Sequence, residues 1–566
     1  MGATRIDLRT EAAFGMEVEA IHFEPCECVE YGGVLFLLPF LLANNLLSYQ
    51  SIYAERGYGY YNFDIAMLTV AYMYLCRIKN IEQLKHTSPG EFGKLLGLDR
   101  IPVDRTLRIL MKEITDQKKA AIWNAYLAQE WISEEETNIF YVDGHVEVYS
   151  GYLANLPKKF VSRQKLCLPG MTEFWVNNMD GLPYFYVTGQ VNEKLQEVLE
   201  KEIIPQLIKL TANTTYQAAL DADPLLPLFT TVFDREAYSL IYFLRLWEKF
   251  RAAVITYNKN VKDKWDEKEF APFTIETDIK TTMQLCEKTI ETPNGKIREI
   301  RRLTEDGHQT SVLTTNFKIS TQLVAQYMFA RWTQENFFHY MRQEFDIDKM
   351  FQYGVNELSK DIMVVNREYS KLTNQLKHIR EKISRRKAHC FELKVENANS
   401  DLDTTGKFLR KQMILNKEIE ELKKQENLII TLRKQQPYKI SIGQMPDDTR
   451  YNTLKTESKH LQNIIKIICY RAETALANLL AVHYKKAINE IRSLVKSIIY
   501  ARANIIPDYK QNTLTVTLYS LATPRDNEAI NAVCEILNDT ETIYPGTNLK
   551  MIFKSATVSF MPNQEF

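Results

Sequence analysis

Three observations predict a mixed α/β fold. Between 138 and 260, short β-branched and aromatic runs alternate with helical stretches. From 273 to 316 the residues stay β-rich around two glycine turns, and both flanks of this region read as helical. The expected organisation is an α/β core at 131–348 with a β insertion at about 261–320. A helical region at 1–130 precedes it, a helical hairpin or coiled-coil arm follows at 349–440, and a C-terminal helical region with a small sheet closes the chain at 441–566.

The bulk properties fit such a chain. Its 566 residues are 45% hydrophobic and 25% charged, enough for several units at roughly 150 residues each. Lys+Arg and Asp+Glu both number 71, so any nucleic-acid surface must arise from local segregation of charge. Eight cysteines are scattered along the chain, unlike a secreted disulfide scaffold, which points to a reducing cytoplasm. The longest apolar run, VLFLLPFLLA at 34–43, contains Pro39 and falls far short of the about 20 residues a membrane span needs, so it reads as a buried helix. The first 25 residues carry five acids and do not read as a signal peptide. No membrane partner is expected.

In the first region, 63–114 follows a helical period. Thr87-Ser88-Pro89-Gly90-Glu91 supplies a cap residue, a first-turn proline and an early acid. Gly97 then stops that helix, and a second runs over 106–114, with Arg105 just before it and Arg108 and Lys112 on it. A helix-turn-helix at 87–115 and a plain pair of packed helices both suit this pattern. In the core, strands are expected in NIFYVDGHVEVYSG, in GLPYFYVTG (181–189), at 227–239 and at 251–260, with helices at 191–212 and 237–250. The turns TPNGK (292–296) and EDGHQ (305–309) suggest hairpins, and one long helix is expected from 321 to about 345. Beyond it, 357–387 and 409–434 are heptad-like around the polar 396–406, as in an antiparallel hairpin. The window 367–439 holds 18 Lys+Arg against 10 Asp+Glu, which suits either a solvated coiled-coil face or an arm on a DNA backbone. A helix-rich stretch at 451–503 precedes 513–520 and 549–555, expected to pair as strands.

Three acids occupy informative places. Asp143 lies inside an apolar strand (FYVDGH), Asp234 ends another (TTVFDRE), and Glu335 lies on the long helix (ARWTQENFFHYM). A carboxylate among Ile, Phe, Tyr and Val is costly to bury without a compensating cation. Carboxylate oxygens suit Mg²⁺, and three of them can serve two ions about 4 Å apart in phosphoryl transfer. Each acid alone reads equally as a satisfied structural carboxylate. Arg331, Glu335 and Arg342 share one helical face, which reads either as a phosphate-and-metal surface or as a surface ion pair. Cys26-x-Cys28 has no second cysteine pair at zinc spacing. His145 reads as a metal-site or phosphate neighbour or as a hydrogen-bonded strand histidine. No phosphate-binding P-loop motif occurs, so no ATP is expected.

Taken together, Asp143, Asp234 and Glu335, on strand, strand and helix with a β insertion before the helix, resemble bacterial insertion-sequence transposases of the DDE class, whose core is ribonuclease-H-like. DREAYS resembles the second-aspartate motif of the group with a Tyr-Arg-Glu-Lys signature. Arg331, Glu335 and Arg342 keep that signature's spacing, with Arg342 in place of Lys and Met328 where Tyr would stand, Tyr327 being one residue off. The resemblance covers about 130–345, more loosely 92–110. It implies catalytic and metal-binding roles for Asp143, Asp234 and Glu335, with two Mg²⁺ or Mn²⁺ ions per site. It also implies DNA contacts from Arg331 and Arg342, from Arg105, Arg108 and Lys112 in the front helices, and from Trp265 as a base-stacking residue, for which plain packing is the alternative. The implied partners are double-stranded DNA, as terminal inverted repeats and target, and a second protomer in a synaptic complex. The implied location is the nucleoid. Two readings compete with a transposase: a non-catalytic DNA-binding or assembly protein, and a metal-dependent nuclease.

Overall fold

The computed structural model describes residues 3–556 apart from 136–137, 162, 190–192, 212–213, 260, 262, 276–280, 349–353, 398–401 and 485–487. The fold is mixed α/β, built on a ten-stranded sheet. Its strands are β1 (Ile139–Val148), β2 (Lys158–Val161), β3 (Leu166–Asn177), β4 (Pro183–Gly189), β5 (Phe229–Phe233), β6 (Ala252–Tyr257), β7 (Ala271–Ile275), β8 (Thr281–Thr292), β9 (Gly295–Leu303) and β10 (Gln309–Thr314). Their order is β4-β3-β1-β5-β6-β10-β9-β8-β7, with β2 also paired to β3. Only β1, β5 and β6 run parallel to their shared neighbours. Phe140–Val142, Phe229–Phe233, which includes Thr230 and Thr231, and Ala252–Ile255 are buried throughout, as strands covered on both faces are. The two glycine turns close the β8–β9 and β9–β10 hairpins and extend the sheet past β6.

Several expectations are corrected. The 12-residue β3 was not foreseen, because LCLPGM carries Pro169 and Gly170 and reads as a loop. In the sheet, a Cβ on Gly170 would stand 2.2 Å from the Glu147 carbonyl oxygen, so only glycine lets β3 lie against β1 there. The single helix expected at 321–345 is two. With α1 (Phe63–Leu75) and α2 (Asp104–Asp116) in the first region, these are α3 (Thr321–Phe329) and α4 (Trp332–Phe345). At the break, Thr333 N–H bonds to the Ala330 carbonyl at 3.0 Å and Gln334 N–H to Arg331 at 3.1 Å, so the chain tightens for one turn before α4 begins.

The arm consists of α5 (Arg367–Asn397) and α6 (Leu402–Gln435). It starts at 367, not 357, because Met363–Val365 is a short strand paired with Lys439–Ser441 at the arm's root. Leu376, Ile383 and Ile419 are its buried positions.

The separate N- and C-terminal units, 1–130 and 441–566, are also corrected. The strand Cys26–Val29 pairs with Ala503–Asp508, in one sheet with Thr513–Leu518 and Lys550–Ser555. The last two pair in parallel. The long helix α7 (Glu457–Tyr484), followed by α8 (Ile488–Tyr500), buries Leu461, Ile464, Ile465, Ile468 and Leu476 in one core with α1 and the front of the sheet. A helix this apolar on several sides needs cover from more than one segment. The run at 34–43 is buried as expected, as a 3₁₀ turn (Gly32–Leu37) and a short helix (Leu38–Ala43). Among the described residues, no helix is long and apolar enough to cross a membrane.

Candidate catalytic site

Asp143 and Asp234 reach their places through the parallel pairing of β1 with β5. Val142 is in register with Phe233, and the next residue on each chain is the aspartate. Neighbouring strands lie about 4.8 Å apart, so the two acids leave the sheet side by side. Asp143 is half-buried, and its Oδ1 accepts from the Gly144 N–H at 3.1 Å. Burial pushes its carboxyl up from the ordinary range, Asp234 adds to this, and Arg331 and the Gly144 amide oppose it. Asp234 is 51% exposed in its side chain.

The helices deliver the remaining groups. The Tyr141 hydroxyl donates to the Tyr327 carbonyl at 2.8 Å, tying the end of α3 to β1. Thr333 Oγ1 donates to the Met179 carbonyl at 2.9 Å, beside Gly181, whose φ is +82° and whose added Cβ would stand 2.9 Å from the Thr333 carbonyl oxygen. Farther along α4, Phe337 and Phe338 pack on Trp175, and Phe338 stacks on His145 at 4.7 Å. These anchors place Arg331 at the start of α4, with its Nη1 3.6 Å from Asp234 Oδ1. Arg331 is buried, and its Nε has no hydrogen-bond partner among the described residues. Glu335 sits exposed in the first turn of α4, where the helix dipole favours an anion. Both Asp234 and Glu335 lie near enough to the Tyr257 phenol to act on it electrostatically. Among the described residues, no three His, Cys, Asp or Glu side chains are already gathered as a metal-holding group.

The other singled-out residues fall into separate places. His145 is buried and bonded through Nε2 to Asp348, which also pairs with Arg163 at 2.9 Å, so the histidine reading that holds is the structural one. The half-buried Arg342 lies within electrostatic reach of Asp348. In the front helices, Arg105 is exposed. Arg108 pairs with Glu82 at 2.9 Å and with Asp104, Lys112 pairs with Asp116, and α2 buries its Leu107, Leu110, Met111 and Ile114 face. Trp265 is partly exposed between two cations, Arg301 at 4.2 Å and Lys288 at 4.6 Å from its ring. Cys28 accepts from Arg502, and both Cys26 and Cys28 are free thiols.

Sequence reading missed Trp332, 58% exposed one turn before Glu335. It also missed Glu236, whose carboxylate lies against Gly144 and feels both Asp143 and Asp234. A third omission is the buried row behind Asp143: Glu147 bonds to Lys459, and Glu173 bonds to Trp175 Nε1 at 3.2 Å and Asn463 at 3.3 Å. The alternation of Asp143, His145 and Glu147 along one strand face was its only sequence signal.

A sequence profile of the family described as "Transposase protein" matches residues 1–557. No curated protein matches the chain.

Proposed function

The chain belongs to this transposase family, and we propose that it is a DDE-class enzyme that cuts DNA at the ends of its element and joins them to target DNA. The observation that carries this reading is the position of Asp143 and Asp234, each next to the Val142–Phe233 pair of adjacent parallel strands, with Arg331, at the start of α4, 3.6 Å from Asp234. The strand order β4-β3-β1-β5-β6, antiparallel on one side of β1 and parallel on the other, supports a ribonuclease-H-like core. The β insertion between β6 and α3 supports the same assignment.

Asp143, Asp234 and Glu335 are oxygen donors of the kind Mg²⁺ or Mn²⁺ takes, and Asp143 and Asp234 follow directly on a pair of residues in register on adjacent strands, so these three residues would hold the ions. Such ions, when bound, supply charge neutralisation for phosphoryl transfer. Glu335, on the exposed turn of α4, is the ligand that closes onto the two aspartates. Arg331 holds a non-bridging phosphate oxygen through its guanidinium end, whose Nη1 stands 3.6 Å from Asp234. Trp332 offers its exposed face to a base next to the cut. Arg342, Arg105, Arg108, Lys112 and Trp265 take DNA contacts farther from the acids, and the arm bridges a second duplex or protomer in a homodimeric synapse. The enzyme works on the nucleoid without ATP.

The test is a supercoiled plasmid carrying both boundaries of the element, incubated with protein and Mg²⁺ or Mn²⁺. Nicking at the boundaries followed by joined products is the expected result. Cleavage without joining would favour a plain nuclease, and boundary binding without cleavage a non-catalytic protein.

A further inference from the structure

A cleft of about 280 Å³ opens beside the core, at the end of the sheet toward which β1 and β4 run. Its walls come from three places: Lys159 on β2, Gly170 on β3 with Thr188 and Gly189 on β4, and the short ladder of Val355–Glu357 with Asn452–Leu454. The floor is small because it must be: Gly170 lies against the Glu147 backbone and Gly189 against the Phe174 ring. Asn356, Thr188, Thr453 and Thr456 line it with polar groups and leave room for a ligand.

Among the described residues, Lys159 is the cleft's only charged lining residue. It is half-buried and makes no hydrogen bond or ion pair among the described residues. Glu236 and Glu193 are the acids near enough to act on it, and Glu236 is the same residue that touches Gly144 beside Asp143. Glu236 thus lies within electrostatic reach of both Lys159 and the acid pair. On its other side, the ladder strand at 355–357 leads to the arm root, where 363–365 pairs with 439–441. The cleft thus has the ladder that leads to the arm root as one of its walls.

We infer that the cleft is a phosphate subsite, in which Lys159 takes a backbone phosphodiester of DNA lying between the cut and the arm. This inference rests on the transposase reading for its ligand. An ammonium with no protein counter-ion in direct contact, in a cleft that also presents hydroxyl and amide groups among Leu156, Met171, Leu358 and Ile362, is suited to an anion that brings its own charge. A contact from Lys159 to a backbone phosphate positions the strand and does not itself specify its sequence.

The experiment compares wild type, Lys159→Met and Lys159→Arg by titrating a labelled duplex that spans one boundary of the element, over a range of salt concentrations. Met keeps the aliphatic stem and removes the charge, and melting curves of all three proteins check folding. One lost phosphate contact should lower the slope of log affinity against log salt by about 0.9. Lys159→Met should show that drop and Lys159→Arg should restore the wild-type slope. An unchanged slope in Lys159→Met, with the protein folded, overturns the subsite. The same titrations on an unrelated duplex separate the two proposals. If wild type binds both duplexes equally, end recognition falls, and the slope difference on the unrelated duplex alone decides the subsite.

Discussion

The Arg331 guanidinium lies 3.6 Å from the Asp234 carboxylate, close enough to balance its charge yet outside hydrogen-bond range. It is a buried cation whose nearest acid sits at the proposed metal site, so its own contact and that of the acid are both unfinished in the free protein.

That relationship sets the first prediction. Asp143→Asn, Asp234→Asn and Glu335→Gln should each abolish metal-dependent nicking by roughly three orders of magnitude or more, since ligands serving one site act as a unit. Boundary DNA binding should persist, because Arg and Lys supply most of that affinity. Burial already disfavours the charged form of Asp143, so the metal-free Asp143→Asn protein should melt no lower than wild type. Calorimetric titration with Mn²⁺ and a plasmid cleavage assay check both halves.

Gly181 offers a purely geometric test. Its positive φ and the 2.9 Å approach of an added Cβ to the Thr333 carbonyl oxygen mean that Gly181→Ala must push back the first turn of α4. The strain should cost about 1–3 kcal/mol and displace Glu335 and Arg331 together. Lowered melting temperature with cleavage falling more than DNA affinity is the expected pattern.

Arg77 joins segments far apart in sequence. It bonds to Glu344 at 2.5 Å, to Glu473 at 2.5 Å and to the Tyr340 hydroxyl at 3.0 Å, all in the interior. Arg77→Met leaves Glu344 with Lys496 at 3.0 Å and the buried Glu473 with the Tyr340 hydroxyl at 2.7 Å and Arg492 at 4.0 Å, and should destabilise the protein by roughly 3 kcal/mol. Glu344 and Tyr340 lie on α4, so Arg77→Lys, which keeps one charge but not the fork, should fall between the two in a thermal melt.

The arm can be removed at its root. Joining 365 to 439 by a short glycine linker keeps the register of Val364 with Ile440, so the remainder should fold with near-native circular dichroism. Paired-end complexes in gel shifts should vanish. Their survival would remove the arm from synapsis.

His460 provides a pH test. It is half-buried against the Tyr186 ring, its Nε2 is buried with no partner among the described residues, and burial pushes its imidazole down to about 4. The native state keeps it neutral while the unfolded chain protonates near pH 6.5. Stability is therefore intact above about pH 6.5 and is lost as pH falls toward 4, by roughly 1.4 kcal/mol per pH unit from this group. His460→Leu should flatten the melting-temperature decline between pH 6.5 and 4.5 relative to wild type.

Sequence alone determined the local features: the apolar runs of β1, β5 and β6, the glycine turns of the insertion, the heptad pattern of the arm, and the three acids as candidates. These are written in residue types and short spacing, where side-chain periodicity and turn chemistry act. It did not determine β3, because a glycine that fits only against the Glu147 carbonyl looks from sequence like a loop breaker. Nor did it determine the break at Ala330–Arg331, which the packing of Thr333 on Met179 and Gly181 enforces. Likewise, the union of residues 26–29 with 503–508 is decided by strand pairing between the two ends of the chain. The placing of Asp143 beside Asp234 belongs to tertiary structure too: 91 residues apart in sequence, they become neighbours only through the register of two parallel strands, a long-range choice that no local pattern encodes.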